Sequence, residues 1–188
     1  MNSTTSLANH LLIALPGMDD PNFSGRIALL CHHSQQGAMG IVLNQNSELL
    51  LGEVMAQIGI QSVKADVASQ TVLSGGPVEP ERGFVLHSPD GGKWDSTFVV
   101  SPDVHLTTSR DVLQAIALGK GPHRAIVALG YAGWSANQLE SEFREHIWLT
   151  AEPSTDLIFD IPIQSRWSTA TRRIGIDPSA LSTYGGHA

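Results

Sequence analysis

The sequence predicts an α+β fold, a compact single domain over residues 1–188 with a strongly curved or barrel-like mixed β-sheet core flanked by helices. Three observations predict it. Short apolar runs recur along the chain, each cut off by Gly, Pro, Asn or Asp, which is the pattern of many short strands. Three or four other segments carry apolar residues at helical spacing. Finally, Ala125–Leu149 reads AIVALGYAGWSANQLESEFREHIWL, an apolar strand, a Gly-rich turn with two aromatics, a helix, and a second apolar run. Many short strands with few helices to cover them favour a sheet that curls on itself. No linker-like or low-complexity stretch divides the chain.

Taken in order, Met1–Asn9 is polar and expected to fray, and Leu11–Leu15 is a short strand stopped by Pro16-Gly17. Met18–Gly25 is a loop. Arg26–His32 and Ala38–Leu43 form two strands joined across Ser34–Gly37. The polar Asn44–Ser47 leads into a helix whose buried face is Leu51, Val54, Met55 and Ile58, with Gly59 as its C-terminal cap. Thr71–Leu73 is a strand, Ser74-Gly75-Gly76-Pro77 a tight turn, and Val78–Glu81 an acidic loop. Gly83–His87, Thr97–Val100 and His105–Thr107 are extended. A helix from Thr108 or Ser109 buries Val112, Leu113, Ile116 and Ala117. The two thirds run alike, Arg26-Ile-Ala-Leu-Leu against Arg82-Gly-Phe-Val-Leu, as an internal duplication or as two unrelated meanders would.

In the last third, Ala125–Leu129 is apolar on both faces and belongs inside a covered sheet. Gly130–Trp134 reads as a tight turn. Ser135 and Gln138 have capping-box spacing, and Ala136, Leu139, Phe143 and Ile147 follow at helical spacing. A closing helix near Ile163–Ile174 buries Trp167, Ala170 and Ile174, exposes Arg166, Arg172 and Arg173, and stops at Gly175 and Asp177-Pro178.

Composition excludes some function classes. The 188 residues carry a net charge of −7, which disfavours nucleic acid or an anionic membrane as a direct partner. One cysteine, Cys31, cannot make an internal disulfide, so the cytoplasm is the expected compartment. The first residues lack a basic signal region, and their apolar run is too short to span a bilayer.

Several motifs resemble chemistry without completing it. Cys31-His32-His33 lacks metal-ligand spacing, and strand alternation puts Cys31 and His33 on one face with His32 on the other. Ser74 lacks the G-x-S-x-G turn of an exposed nucleophile, and Gly75-Gly76 lacks the Lys-Ser/Thr of a phosphate loop. No catalytic residue, metal or cofactor is therefore expected.

At the level of whole motifs, the chain resembles the AlgH/YqgE family of bacterial proteins, UPF0301. The resemblance rests on Gly37-Ala38-Met39-Gly40 with Asn44, Leu73–Val78, Arg82–His87 and Leu106–Asp111. It continues through Ala128–Trp134 with Gln138-Leu139-Glu140, Trp148-Leu149, Arg166-Trp167 and Gly186-His187-Ala188. The family usually has Gly before Gln-Leu-Glu, where this chain has Asn137, and often a Pro after the Asn44 step, where it has Asn44-Gln45-Asn46. The resemblance implies a barrel-like core flanked by helices. It implies neither catalytic residues nor a cofactor. The family is named for a role in regulating alginate biosynthesis, and its members are often labelled transcriptional regulators.

The expected function is a cytosolic, non-enzymatic regulatory protein acting through an unidentified protein or small ligand. Its expected site is a groove between the Ser74–Pro77 and Gly130–Trp134 turns. Asn44, Ser74, Gly75, Gly76, Tyr131, Trp134, Ser135 and Gln138 would line it. A metal-independent small-molecule enzyme using that groove is the alternative, and a direct DNA-binding regulator is less favoured.

Overall fold

The structure is a computed structural model that describes residues 6–16, 20–21, 23–61 and 64–182. The start of the polar N-terminal stretch, part of the Met18–Gly25 loop and the closing Gly186-His187-Ala188 lie outside the described residues.

The chain runs β1 (Leu11–Ala14), β2 (Ile27–Ser34), β3 (Gly37–Val42), β4 (Asn46–Leu50), α1 (Leu51–Gln57), α2 (Ala65–Ala68), β5 (Thr71–Ser74) and β6 (Val78–His87). It continues through β7 (Thr97–Ser101), β8 (Val104–Thr107), α3 (Arg110–Ala117), β9 (Ala125–Ser135), α4 (Gln138–Arg144) and β10 (Trp148–Ala151). The last elements are α5 (Thr155–Phe159), a 3₁₀ turn at Ile163–Ser165, α6 (Arg166–Arg173) and α7 (Pro178–Ser182). The strands form one curled, largely antiparallel half-barrel in the order β10-β1-β2-β3-β9-β6-β8-β7, with β5 inserted between β4 and β9. The β5–β9 pairing is parallel.

Helices cover both faces. On the inner face, Leu11, Ile13, Leu29, Ile41 and Leu86 pack with Leu157 and Ile158 of α5 and Ala170 of α6. On the outer face, α1, α2 and α3 bury Val54, Met55, Val67, Val112 and Leu113 against Val72, Val85 and Val127. The rest of the outer face packs Leu12, Ala28, Leu30 and Ala132 with Trp134, Trp148 and Leu139 of α4. Apolar burial of this extent is the main force holding the sheet in its curl.

The strand at the centre differs from its expected form. Gly130–Trp134 is no turn: β9 runs unbroken for 11 residues. Its first half pairs with β5 through Leu73↔Ala128 and Ser74↔Leu129. Its second half pairs, on the same edge, with β3 through Gly40↔Ala132 to Gly37↔Ser135. Gly130, at φ +73°, is a bulge between the halves. Ala128 and Tyr131 therefore share the inner face although they are three positions apart, a spacing that regular alternation would put on opposite faces. A positive-φ glycine serves a bulge as readily as a turn, so local chemistry alone did not separate the two.

Three further corrections have physical causes. Val78–Glu81 is the start of β6 rather than a loop, with its register broken between Val78 and Gly83. Arg166, expected outside, is buried: its Nε donates to the Ile161 carbonyl at 3.0 Å and its Nη1 to the Leu43 carbonyl at 2.7 Å. Burial pulls the guanidinium down to about 10, partly countered by Asp160, so it stays charged at neutral pH while pinning α6 to the end of β3. A bulge between Leu30 and His32 breaks the expected alternation, so Cys31 and His32 turn toward the inner face and His33 outward to Glu140. The two thirds of the chain share no pairing scheme, since β2 pairs with β3 whereas β6 pairs with β8 and β9.

A polar chain runs across β6, β8 and β7, buried at His87 and Thr107 and reaching the surface at Thr97. His87, 1% exposed, contacts the Ser88 carbonyl through Nδ1 at 2.7 Å, and its Nε2 lies 2.7 Å from the Thr107 hydroxyl. The Thr97 hydroxyl is 2.8 Å further on. Because a carbonyl only accepts, Nδ1 carries the proton, and in the neutral ring Nε2 accepts from Thr107.

Two outcomes follow from these arrangements. Gly76→Ala places a methyl carbon 2.1 Å from the Tyr131 carbonyl carbon at φ +151°. It is expected to cost at least about 3 kcal/mol in urea unfolding. Gly83→Ala, with nothing within 4 Å, is expected to be neutral or slightly stabilising. For His87, burial lowers the pKa from 6.5, with the bond to Ser88 opposing. The unfolded chain thus binds more protons than the folded one below about pH 6.5, and stability falls as pH drops through that window. The urea midpoint of wild type should therefore fall more between about pH 7 and about pH 5 than that of His87→Gln.

Candidate functional site

The largest described cavity is an open groove of about 700 Å³ on the inner face of the half-barrel. Strands β2, β3, β6 and β9 and the β7–β8 hairpin build it. Cys31, His32 and Met39 come from β2 and β3, Val78, Arg82 and Phe84 from β6, Phe98 and Leu106 from β7 and β8, and Tyr131 from β9. Phe84 and Tyr131 form an edge-to-face pair at 5.6 Å. His32 and Phe98 approach each other edge-on at 6.1 Å across the groove. Phe98 is 47% exposed, an uncommon state for so large an apolar ring.

Polar groups are few and lie at the rim. Arg82 sits 5.4 Å over the Phe84 ring and pairs with Glu79 at 3.0 Å, both partners being half exposed. On a strand, residues two apart share a face, which is why Arg82 lies over Phe84. Ser34, Gln36 and Thr108 complete the lining. At the base, burial pushes the Cys31 thiol up to about 12, against a smaller opposing effect of the Ile41 backbone. It is protonated at neutral pH and acts as a small packed side chain.

Of the residues expected to form a site, Tyr131 and Trp134 border this groove. Trp134 is only 5% exposed: its indole packs against Phe23 at 6.1 Å and Trp148 at 5.9 Å. Both indole N–H groups donate to one Glu142 oxygen, at 2.9 Å and 2.6 Å. Asn44 is engaged locally, accepting from the Ile27 N–H and donating to the Gly25 carbonyl. The Ser74 N–H donates to the Gln45 carbonyl. Gly75 and Gly76 press directly on Gly130 and Tyr131, leaving no space between the two segments for a methyl group. Gln138 reaches back to the Ser135 N–H at 3.0 Å and donates to Glu142 at 2.9 Å. α4 begins from Asn137 in the left-handed region at φ 63°, a conformation glycine and asparagine adopt most readily, so the Asn-for-Gly departure keeps the local backbone.

The groove's other residues went unrecognised in the sequence, although the Arg82-Gly-Phe84 spacing and the uncharged Thr97–Val100 run carried a partial signal. Among the described residues, no group of three or more His, Cys, Asp or Glu side chains could hold a metal ion. No helix among them is long and apolar enough to cross a membrane, which says nothing of β-barrels.

Comparison with known proteins agrees with this geometry. The family model described as AlgH-like (DUF179) matches residues 11–179. A UPF0301 protein of Xanthomonas axonopodis pv. citri is 53% identical, covering 98% of this chain and 97% of the relative. A UPF0301 protein of Stenotrophomonas maltophilia is 51% identical, covering 97% of each. The solution structure of the AlgH protein from Pseudomonas aeruginosa superposes with a TM-score of 0.81 at 43% identity, covering 100% of this chain and 99% of that one. A crystal structure of a Corynebacterium diphtheriae protein shares the fold, at a TM-score of 0.70 and 17% identity over 100% of this chain and 95% of that one. The chain belongs to the AlgH-like family, UPF0301.

Proposed function

We propose that this chain is a non-enzymatic regulatory protein that binds a protein or small ligand in the inner-face groove. The make-up of the groove supports the reading: about 700 Å³ of open space, aromatic and aliphatic walls, and a few polar groups at the rim. A large apolar area gives affinity, and sparse polar groups fix orientation. Arg82 at the rim favours a ligand with an anionic end. The proposal sets the protein in the cytoplasm, which the single buried thiol of Cys31 suits. A role in transcription would run through the ligand or partner, since a net charge of −7 opposes direct contact with DNA.

The test has two parts. Anilinonaphthalene sulfonate, apolar with one anionic group, is titrated into wild type, Tyr131→Ala and Arg82→Gln. Kd is expected to weaken about 10-fold, or about 1.4 kcal/mol, in each folded variant. Immobilised wild type and Tyr131→Ala are then exposed to native bacterial extract, with bound proteins and small molecules read by mass spectrometry. A species retained by wild type and lost with the Tyr131 change supports the groove. Equal retention by both, or substrate turnover by the purified protein, overturns the reading.

A further inference from the structure

A second surface borders the groove and shares only Phe98 with its lining. β7 ends the sheet, and among the described residues it pairs with β8 alone, through Thr97↔Thr107, Phe98↔Leu106 and Val99↔His105. The Thr108 N–H donates to the Ser96 carbonyl at 3.0 Å, which makes Ser96–Thr108 a hydrogen-bonded pair in the same register. Antiparallel ladders alternate, so Phe98 bonds toward β8 while the backbone groups of Thr97 and Val99 point out of the sheet. Successive side chains point to opposite faces, yet Phe98 is 47% and Val99 59% exposed. Each face of the strand therefore shows one exposed apolar side chain, Phe98 toward the groove and Val99 on the other side, while Val100 packs against the inner core.

Edge strands are ordinarily blunted by charge, by proline or by brevity, because an open ladder recruits other strands. Thr97-Phe98-Val99-Val100 has neither charge nor proline. Its one irregularity is the register shift between Val99 and Ser101, at its end. Charge appears instead on either side, as Asp95 and Asp103, both exposed. Lys93, two residues beyond Asp95, is the nearest cation in sequence.

That flanking charge separates two candidate added strands. A second copy of this chain, pairing antiparallel about Val99, would bring Asp95 of one copy, in the turn before β7, toward Asp103 of the other, in the turn after it, between two molecules that each carry −7. Like charges brought together at the ends of a strand pair disfavour it. A strand with lysine or arginine at both ends would meet the same carboxylates favourably.

We infer that β7 is a docking edge for an extended apolar segment of another protein flanked by basic residues, added to the sheet as a further strand. Backbone bonds to Thr97 and Val99 supply affinity, and Phe98 and Val99 supply apolar contact on the two faces. Asp95 and Asp103 select the charge of the flanks.

The probe is the synthetic peptide Lys-Lys-Thr-Val-Thr-Val-Thr-Lys-Lys, titrated into the ¹⁵N-labelled full chain, with a glutamate-flanked peptide of the same core as control. The lysine-flanked peptide is expected to shift the Thr97 and Val99 amide signals and to slow their hydrogen exchange about 10-fold or more. Two variants should each weaken it about 10-fold. Val99→Pro removes an outward donor without touching the β8 ladder, and Asp95→Asn with Asp103→Asn removes the charge. Tyr131→Ala should leave it unchanged, which separates this edge from the groove. Equal binding of the glutamate-flanked peptide, or perturbation confined to groove residues such as Met39 and Tyr131, overturns the inference. So does a concentration-dependent dimer in sedimentation that Val99→Lys abolishes.

Discussion

Everything in this fold turns on one backbone crossing. Gly75 and Gly76 lie against Gly130 and Tyr131 so closely that a Cβ on Gly75 would fall 2.3 Å from the Gly130 oxygen, and one on Gly130 would fall 2.4 Å from the Gly76 oxygen. Three strands meet there. The Gly75 N–H donates to Leu129 of β9, and the Gly75 carbonyl accepts from Val42 of β3. β9 can therefore present one edge first to β5 and then to β3, which splits the sheet into two halves with different helices over each. Side chains cannot occupy the crossing, so its backbone polar groups satisfy one another directly, as buried groups must.

The crossing also decides what the inner face displays. By shifting the parity of β9, the Gly130 bulge sends Tyr131 into the groove and Trp134 into the layer under α4. The Leu30–His32 bulge in β2 does the same for Cys31 and His32. Regular alternation would have given the groove a different set of side chains. Bulges are a common means of aiming residues at a site, and here two of them shape one cavity.

Legibility in the sequence followed the range of the physics. Helices α1 and α3 and strands β1, β3, β5, β7 and β8 were visible because periodicity and a terminal Gly or Pro are local signals. The α+β class with a strongly curved sheet followed from counting such segments. Gly130–Trp134 was misread because positive φ serves a turn and a bulge alike, and only the pairing partner distinguishes them. Arg166 reads as a surface residue until the Leu43 carbonyl, 123 positions away, accepts its hydrogen bond. The groove was the least legible feature, because six strands contribute to its walls and no local pattern specifies their approach.

The one Lys or Arg in the groove lining shows how an acidic chain keeps a place for an anion. Arg82 is held by Glu79 three residues earlier, with 54% and 51% of the two side chains exposed. Ion pairs this exposed contribute about 0–1 kcal/mol, so a ligand carboxylate or phosphate could replace Glu79 at small cost. The Phe84 ring beneath the guanidinium stays in place throughout that exchange, because Phe84 is 3% exposed and packed on Tyr131. The aromatic pair thus fixes the position of the cation while Glu79 occupies it only weakly. Of the two aromatics in the Gly-rich stretch, the one aimed at this arrangement is Tyr131. Trp134, tied to Glu142, stacked on Phe23 and edge-on to Trp148, contributes by anchoring the strand that carries Tyr131 under α4.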